Sequence, residues 1–214
     1  MFVKERMTRN PVVVAPDLSV PQAMKLMSEG HIRRLPVLDK GGHLVGIVSQ
    51  KDLLLASPSP ATSLSVWEIP YLLGEIKVRT VMTAKVITVT EDTPLEDAAR
   101  IMADNKIGGL PVLADGALVG IITETDLFRV FVELLGAREA GVRVTMLVRN
   151  QPGELARLTR AIADSGGNII SLADYAGTGP DNRQVLVKAN GISRDALVGA
   201  LAPAVLEIVD VRET

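Results

Sequence analysis

The chain has 214 residues, 47% of them hydrophobic and 22% charged, with 23 basic and 25 acidic side chains and a net charge of −2. That is the profile of a folded chain of one or two domains, and the near balance of charge on both sides of Ala140 argues against binding a nucleic-acid backbone. With no cysteine, disulfides, cysteine-based zinc sites and thiol nucleophiles are excluded.

The first residues carry Lys4, Glu5 and Arg6 and lead into no apolar stretch, so no secretory signal is expected. No apolar run approaches the ~20 residues of a membrane span. The expectation is a cytoplasmic protein with neither membrane nor nucleic acid as partner.

A β-rich run, Val12-Val13-Val14, comes first. A helix follows with Val20, Ala23, Met24 and Met27 at helical spacing, opened by the capping-box pattern Ser19-x-x-Gln22. Strands at 35–38 and 44–48 flank a turn containing Gly41-Gly42, and a second helix starts near Asp52. Residues 57–63, rich in Ser and Pro, read as an extended linker. The apolar stretch 64–74 holds the only tryptophan, Trp67, either covering core between two halves or offering a docking surface. The layout then recurs. A β-rich run (86–89) precedes a helix with Leu95, Ala98, Ala99 and Met102, opened by Thr93-Pro94-x-Glu96. Strands at 110–113 and 118–122 and a helix from Asp126 complete it.

Sliding residues 3–53 by 75 positions makes the recurrence explicit. Met7-Thr8 falls on Met82-Thr83, Asp17 on Asp92, and Leu35-Pro36-Val37-Leu38 on Leu110-Pro111-Val112-Leu113. One extra residue near Gly41-Gly42 cuts the offset to 74, after which Gly46-Ile47 falls on Gly120-Ile121. This is an internal duplication. A β-α-β-β-α unit of ~55 residues is too small to bury its sheet alone, so the two copies are expected to pack sheet to sheet as one domain.

Beyond Gly136–Gly141, Val142, Val144, Met146 and Val148 alternate with Arg143, Thr145, Leu147 and Arg149, the pattern of a half-buried strand. A turn, Asn150-Gln151-Pro152-Gly153, leads to a helix with Leu155, Leu158, Thr159, Ile162 and Ala163 on one face, stopped by Gly166-Gly167. Strands at 168–175 and 183–189, a helix from about 193 to 201 and a last strand at 205–211 complete a split βαββαβ pattern.

The segments Ser49-Gln50-Lys51-Asp52 and Thr123-Glu124-Thr125-Asp126 stand at equivalent places in the two repeats. Each is a capping box in its own right. The neighbourhood that repeats with them resembles the CBS motif, and the tandem resembles a CBS pair: motif 1 over 1–56, an inter-repeat segment over 57–77 and motif 2 over 78–135. That resemblance implies regulatory binding of adenine nucleotides such as AMP, ADP or ATP. Asp52 and Asp126 are then placed to accept hydrogen bonds from the ribose diol, and Ser49 and Thr123, with Lys51 and Thr125, to meet the phosphate. The base would lie near Val12-Val13 and Ile87-Thr88. The resemblance also brings the residues before each Leu-Pro-Val strand to the phosphates. They are His31-Ile32-Arg33-Arg34 in one repeat and Lys106-Ile107-Gly108-Gly109 in the other, so the two sites are expected to differ, the Arg33/Arg34/Lys51 side taking the more charged ligand. The small Gly46 and Gly120 favour a ligand over capping alone.

The order of elements over 142–214, with Asn150-x-Pro152-Gly153-x-Leu155 and Asn168-Ile169, resembles an ACT domain. This implies a small effector, commonly an amino acid, bound near Asn150, Gly153, Asn168 and Ile169, or side-by-side pairing into a homodimer. The family often has Asp where Asn150 stands. The whole arrangement resembles the acetoin-utilisation protein B family. No P-loop or GxGxxG is present, and His31 and His43, the only histidines, stand in no obvious metal or general-base role, so a non-catalytic protein with no catalytic cofactor is expected.

Overall fold

The computed structural model describes residues 1–56 and 74–214. The Ser-Pro linker and Trp67 lie outside them. The described chain forms two compact units, Met1–Leu127 and Phe128–Thr214.

In the first unit, β1 (Thr8–Arg9), α1 (Val20–Glu29), β2 (Arg34–Leu38), β3 (Leu44–Ser49) and α2 (Gln50–Leu55) make the first repeat. The second contains α3 (Val78–Val81), β4 (Val89–Thr90), α4 (Leu95–Asn105), β5 (Gly109–Ala114), β6 (Ala117–Thr123) and α5 (Glu124–Leu134), which runs into the second unit. Helix α1 starts as its capping box requires, with Gln22 Oε1 accepting from Ser19 N at 3.3 Å and Ser19 Oγ at 2.9 Å. It buries Val20, Ala23 and Met27. Thr93 behaves otherwise: Thr90 N donates to its hydroxyl, and α4 begins after Pro94 with no side-chain cap.

The repeats do more than stack. Strand β1 of the first repeat pairs antiparallel with β6 of the second, Thr8 opposite Ile121 and Arg9 opposite Gly120. Reciprocally, Thr83 of the second repeat bridges Ile47 on β3 through two backbone bonds of 2.9 and 3.0 Å. The sheet order β1-β6-β5-β4 is thus mirrored by Thr83, β3, β2 and Val14, the last in a parallel bridge to Val37. The segments leading into these strands cross over too. Val3 N donates to Thr93 O and Val78 N to Leu18 O. Lys4 pairs with Asp92 at 2.6 Å, and Arg79 with Asp17.

Those contacts explain Gly46 and Gly120. A Cβ on Gly46 would collide with the Met82 side chain, and one on Gly120 with Met7. Each glycine is the seat of the opposite repeat's methionine, so the two glycines serve inter-repeat packing and are no argument for a ligand. The identities Met7/Met82, Asp17/Asp92 and Gly46/Gly120 are the parts of one reciprocal joint.

The second unit is β7 (Val142–Arg149), α6 (Glu154–Asp164), β8 (Asn168–Ala176), β9 (Asn182–Asn190), α7 (Arg194–Leu201) and β10 (Glu207–Glu213). Its antiparallel sheet has the order β10-β7-β9-β8. Val142, Val144, Met146 and Val148 pack against Leu158 and Ile162 of α6 and Leu197 and Leu201 of α7. Leu155, expected on that buried face, is 38% exposed. Thr145, Ser171 and Lys188 are buried as well. Two carbonyls just after α5 receive their side chains: Ser171 Oγ donates to Leu135 O at 3.1 Å and Lys188 Nζ to Gly136 O at 2.9 Å. The compact unit therefore starts before residue 142, because the stretch around 135–136 supplies partners to the sheet.

Candidate functional site: a cleft shared by both repeats

Both motif carboxylates form the capping boxes their spacing allows. Asp52 Oδ2 accepts from Ser49 N at 2.8 Å and Ser49 Oγ at 2.6 Å. Asp126 Oδ2 accepts from Thr123 N at 3.0 Å and Thr123 Oγ1 at 2.6 Å. Each arrangement satisfies backbone groups at a helix start. Among the described residues Asp52 Oδ1 has no hydrogen-bond partner, and Asp52 is only partly buried. Asp126 is 8% exposed.

Asp52 and Ser49 open onto a cleft of about 570 Å3. Arg33, Arg34 and Lys51 line it from the first repeat. The second repeat supplies the facing wall, with Thr83, Lys85, Val86 and Ile87 on one segment and Lys106, Gly108 and Gly109 on another. The strand crossover is what sets Thr83–Ile87 opposite Asp52. Ile87 is 37% exposed although strongly apolar, because its side chain forms part of the cleft surface. The backbone bond from Gln50 N to Arg33 O, 2.9 Å, ties the arginine segment to the start of α2.

Of the residues singled out from the sequence, Asp52, Ser49, Lys51, Arg33 and Arg34 therefore meet in one place. Thr88 does not line that cleft; its neighbours Val86 and Ile87 do. Thr123, Thr125 and Asp126 stand in the pseudo-symmetric position, where the pairing of Thr8 with Ile121 brings the first repeat's leading segment alongside. Val13 lies on that segment and is 40% exposed, as Val12 is at 48%. Lys85 was not anticipated, whereas Lys106 belongs to the segment expected at the phosphates. The duplication contained the signal, since each repeat's leading segment aligns with the other's, but nothing local shows that the segments cross.

Arg34 lies across Gly108, where a Cβ would collide with its guanidinium, and comes within 3.8 Å of Glu124. Burial pushes the Arg34 pKa below the usual arginine value, and Glu124 and Asp52 push it back up. The cation is thus held partly desolvated near two carboxylates, an arrangement that a further anion stabilises. The cleft lining contains no histidine. His43 lies in the turn after β2, 3.4 Å from Asp39, and the Ser49 hydroxyl donates to Asp52.

The second unit has its own cavity of about 330 Å3, lined by Asn150, Gly153, Glu154, Leu155, Asp174 and Arg183 among others. Gly153 has φ +89 with open space where a Cβ would be; the turn needs its backbone conformation. Asn150 is engaged locally: its side-chain amide donates to Pro180 O at 2.9 Å. Glu154 is paired with Arg157, and Arg183 with Asp174 at 2.8 Å. Asn168 and Ile169 lie away from this cavity. Asn168 donates to Asn190 at 3.2 Å, and Ile169 packs on the core.

Known proteins place this geometry. The CBS domain family matches residues 3–59 and 78–133, and the TTHA0829-like ACT domain matches residues 140–212. A CBS domain-containing protein of Dictyostelium discoideum is 32% identical over 136 residues, covering 63% of this chain and 94% of its own. A Vibrio cholerae protein ascribed to acetoin utilization (AcuB) is similar at 35% identity and a TM-score of 0.53, over 65% of this chain and 96% of that one. The protein CBSX2, solved in complex with AMP, is 36% identical with a TM-score of 0.53, over 62% of this chain and 97% of its own. The chain belongs to the CBS domain family, carrying a tandem CBS pair followed by an ACT domain.

Proposed function

We propose that this chain is a non-catalytic regulatory protein that senses adenine nucleotides of the AMP, ADP and ATP class through its CBS pair, with the ACT domain joining chains into a homodimer. The observation that carries the reading is the cleft in which Asp52, Ser49 and three cations of one repeat face Val86 and Ile87 of the other. A nucleoside phosphate presents three chemistries: a diol, an anion and a flat apolar ring. Asp52 Oδ1 offers an acceptor for a ribose hydroxyl while Oδ2 holds the cap. The cations suit phosphate, and the apolar pair suits the base. The relative solved with AMP is consistent with this choice of ligand.

Titration calorimetry of AMP against Asp52→Asn tests the ribose role. Asn keeps an oxygen for the Ser49 backbone, so melting temperature should change little. Loss of a charge-assisted hydrogen bond should weaken AMP by ~10- to 100-fold. Unchanged affinity would assign Asp52 to capping alone and favour a second reading, in which the CBS pair is a scaffold and the ACT domain binds an amino acid or another small effector. The 330 Å3 cavity at Asn150 and Gly153 favours that alternative, although most of its polar groups are paired within the unit.

A further inference from the structure

Five cationic side chains line the CBS cleft, Arg33, Arg34, Lys51, Lys85 and Lys106, against one carboxylate, Asp52. Arg34 has Glu124 nearby; among the described residues the other four have no ion-pair partner. Like charges gathered around a concave surface reinforce one another's potential, and only an incoming anion relieves them. Lys106 caps the C-terminus of α4 in the left-handed region, φ 54 and ψ 41, and His31, at the equivalent place in the first repeat, has the same hand at φ 50; the turn belongs to the repeat, and glycine adopts it freely.

We propose that Lys85 and Lys106 are specificity-determining residues that select ligands with more than one phosphate. They reach from the second repeat to the distal phosphates of a nucleoside di- or triphosphate whose ribose lies against Asp52 of the first. A polyphosphate chain meets the excess of positive charge, whereas a monophosphate leaves most of it uncompensated. For the nucleoside the proposal rests on the adenine-nucleotide reading above; for the polyphosphate it rests on the lysines alone.

Titration calorimetry with AMP, ATP and inorganic tripolyphosphate, on the full chain and on its Lys106→Gly and Lys85→Met variants, tests the proposal. Lys106→Gly relieves the backbone while removing the charge, so the melting temperature should hold or rise as ATP affinity falls about tenfold. Lys85→Met, at an exposed position, should weaken ATP similarly. AMP affinity should fall much less than ATP affinity in both. ATP binding that neither substitution alters, or an equal loss for AMP, overturns the proposal while leaving the nucleotide reading intact. Tripolyphosphate binding that both substitutions weaken, with no binding of AMP or ATP, supports the two lysines and sinks the nucleoside instead.

Discussion

Thr145 presents a hydroxyl to the interior of the second unit, 4% exposed, and among the described residues its oxygen has no hydrogen-bond partner. A buried unpaired hydroxyl costs about 1–3 kcal/mol, and valine has nearly the same shape without it. Thr145→Val should therefore raise the melting temperature by a few degrees, about 1–2 kcal/mol, in calorimetry. A lower one would mean that the hydroxyl is bonded in solution. The contrast with Asp52 and Asp126 is instructive. Their partners lie three residues away, so spacing alone exposed the capping boxes. Thr145 alternates correctly as the outward residue of its strand, yet it is buried, which no local pattern announces. Lys85 was hidden in a similar way: it joins Asp52 only through the crossover.

Among elements, the leading segments at 3–9 and 78–83 matter most. They are short in regular structure, yet each supplies an edge to the other repeat's sheet and seats a methionine on the other repeat's glycine. The two seats are not equally tolerant. At Gly46 only atoms of the flexible Met82 side chain stand in the way, whereas at Gly120 the backbone oxygen of Thr8 lies 3.0 Å from where a Cβ would be, beside Met7. Gly120→Ala should therefore destabilise the first unit by about 1–3 kcal/mol and Gly46→Ala by less, readable as a difference in denaturation midpoints. Equal losses would show that both joints yield alike. The helices, the hairpins and the duplication were legible in the sequence, because hydrophobic period and turn residues are local. The pairing of Thr8 with Ile121 and of Thr83 with Ile47 was not. The repeated Met-Thr and the paired aspartates registered as identities without revealing that they touch across repeats.

For the whole molecule, the proposed homodimer is checked by light scattering of the purified chain, with a mass near twice 22.8 kDa expected. A single-chain mass at micromolar concentration would remove the pairing role from the ACT domain. Among the described residues no helix is long and apolar enough to cross a membrane.

The crossed arms of the CBS pair also bear on how it can be divided. Thr8 borders the sheet at Ile121 and Thr83 the one at Ile47, so either repeat expressed alone would lose the segment that covers its sheet edge and present unpaired backbone, the kind of surface on which chains stick to one another.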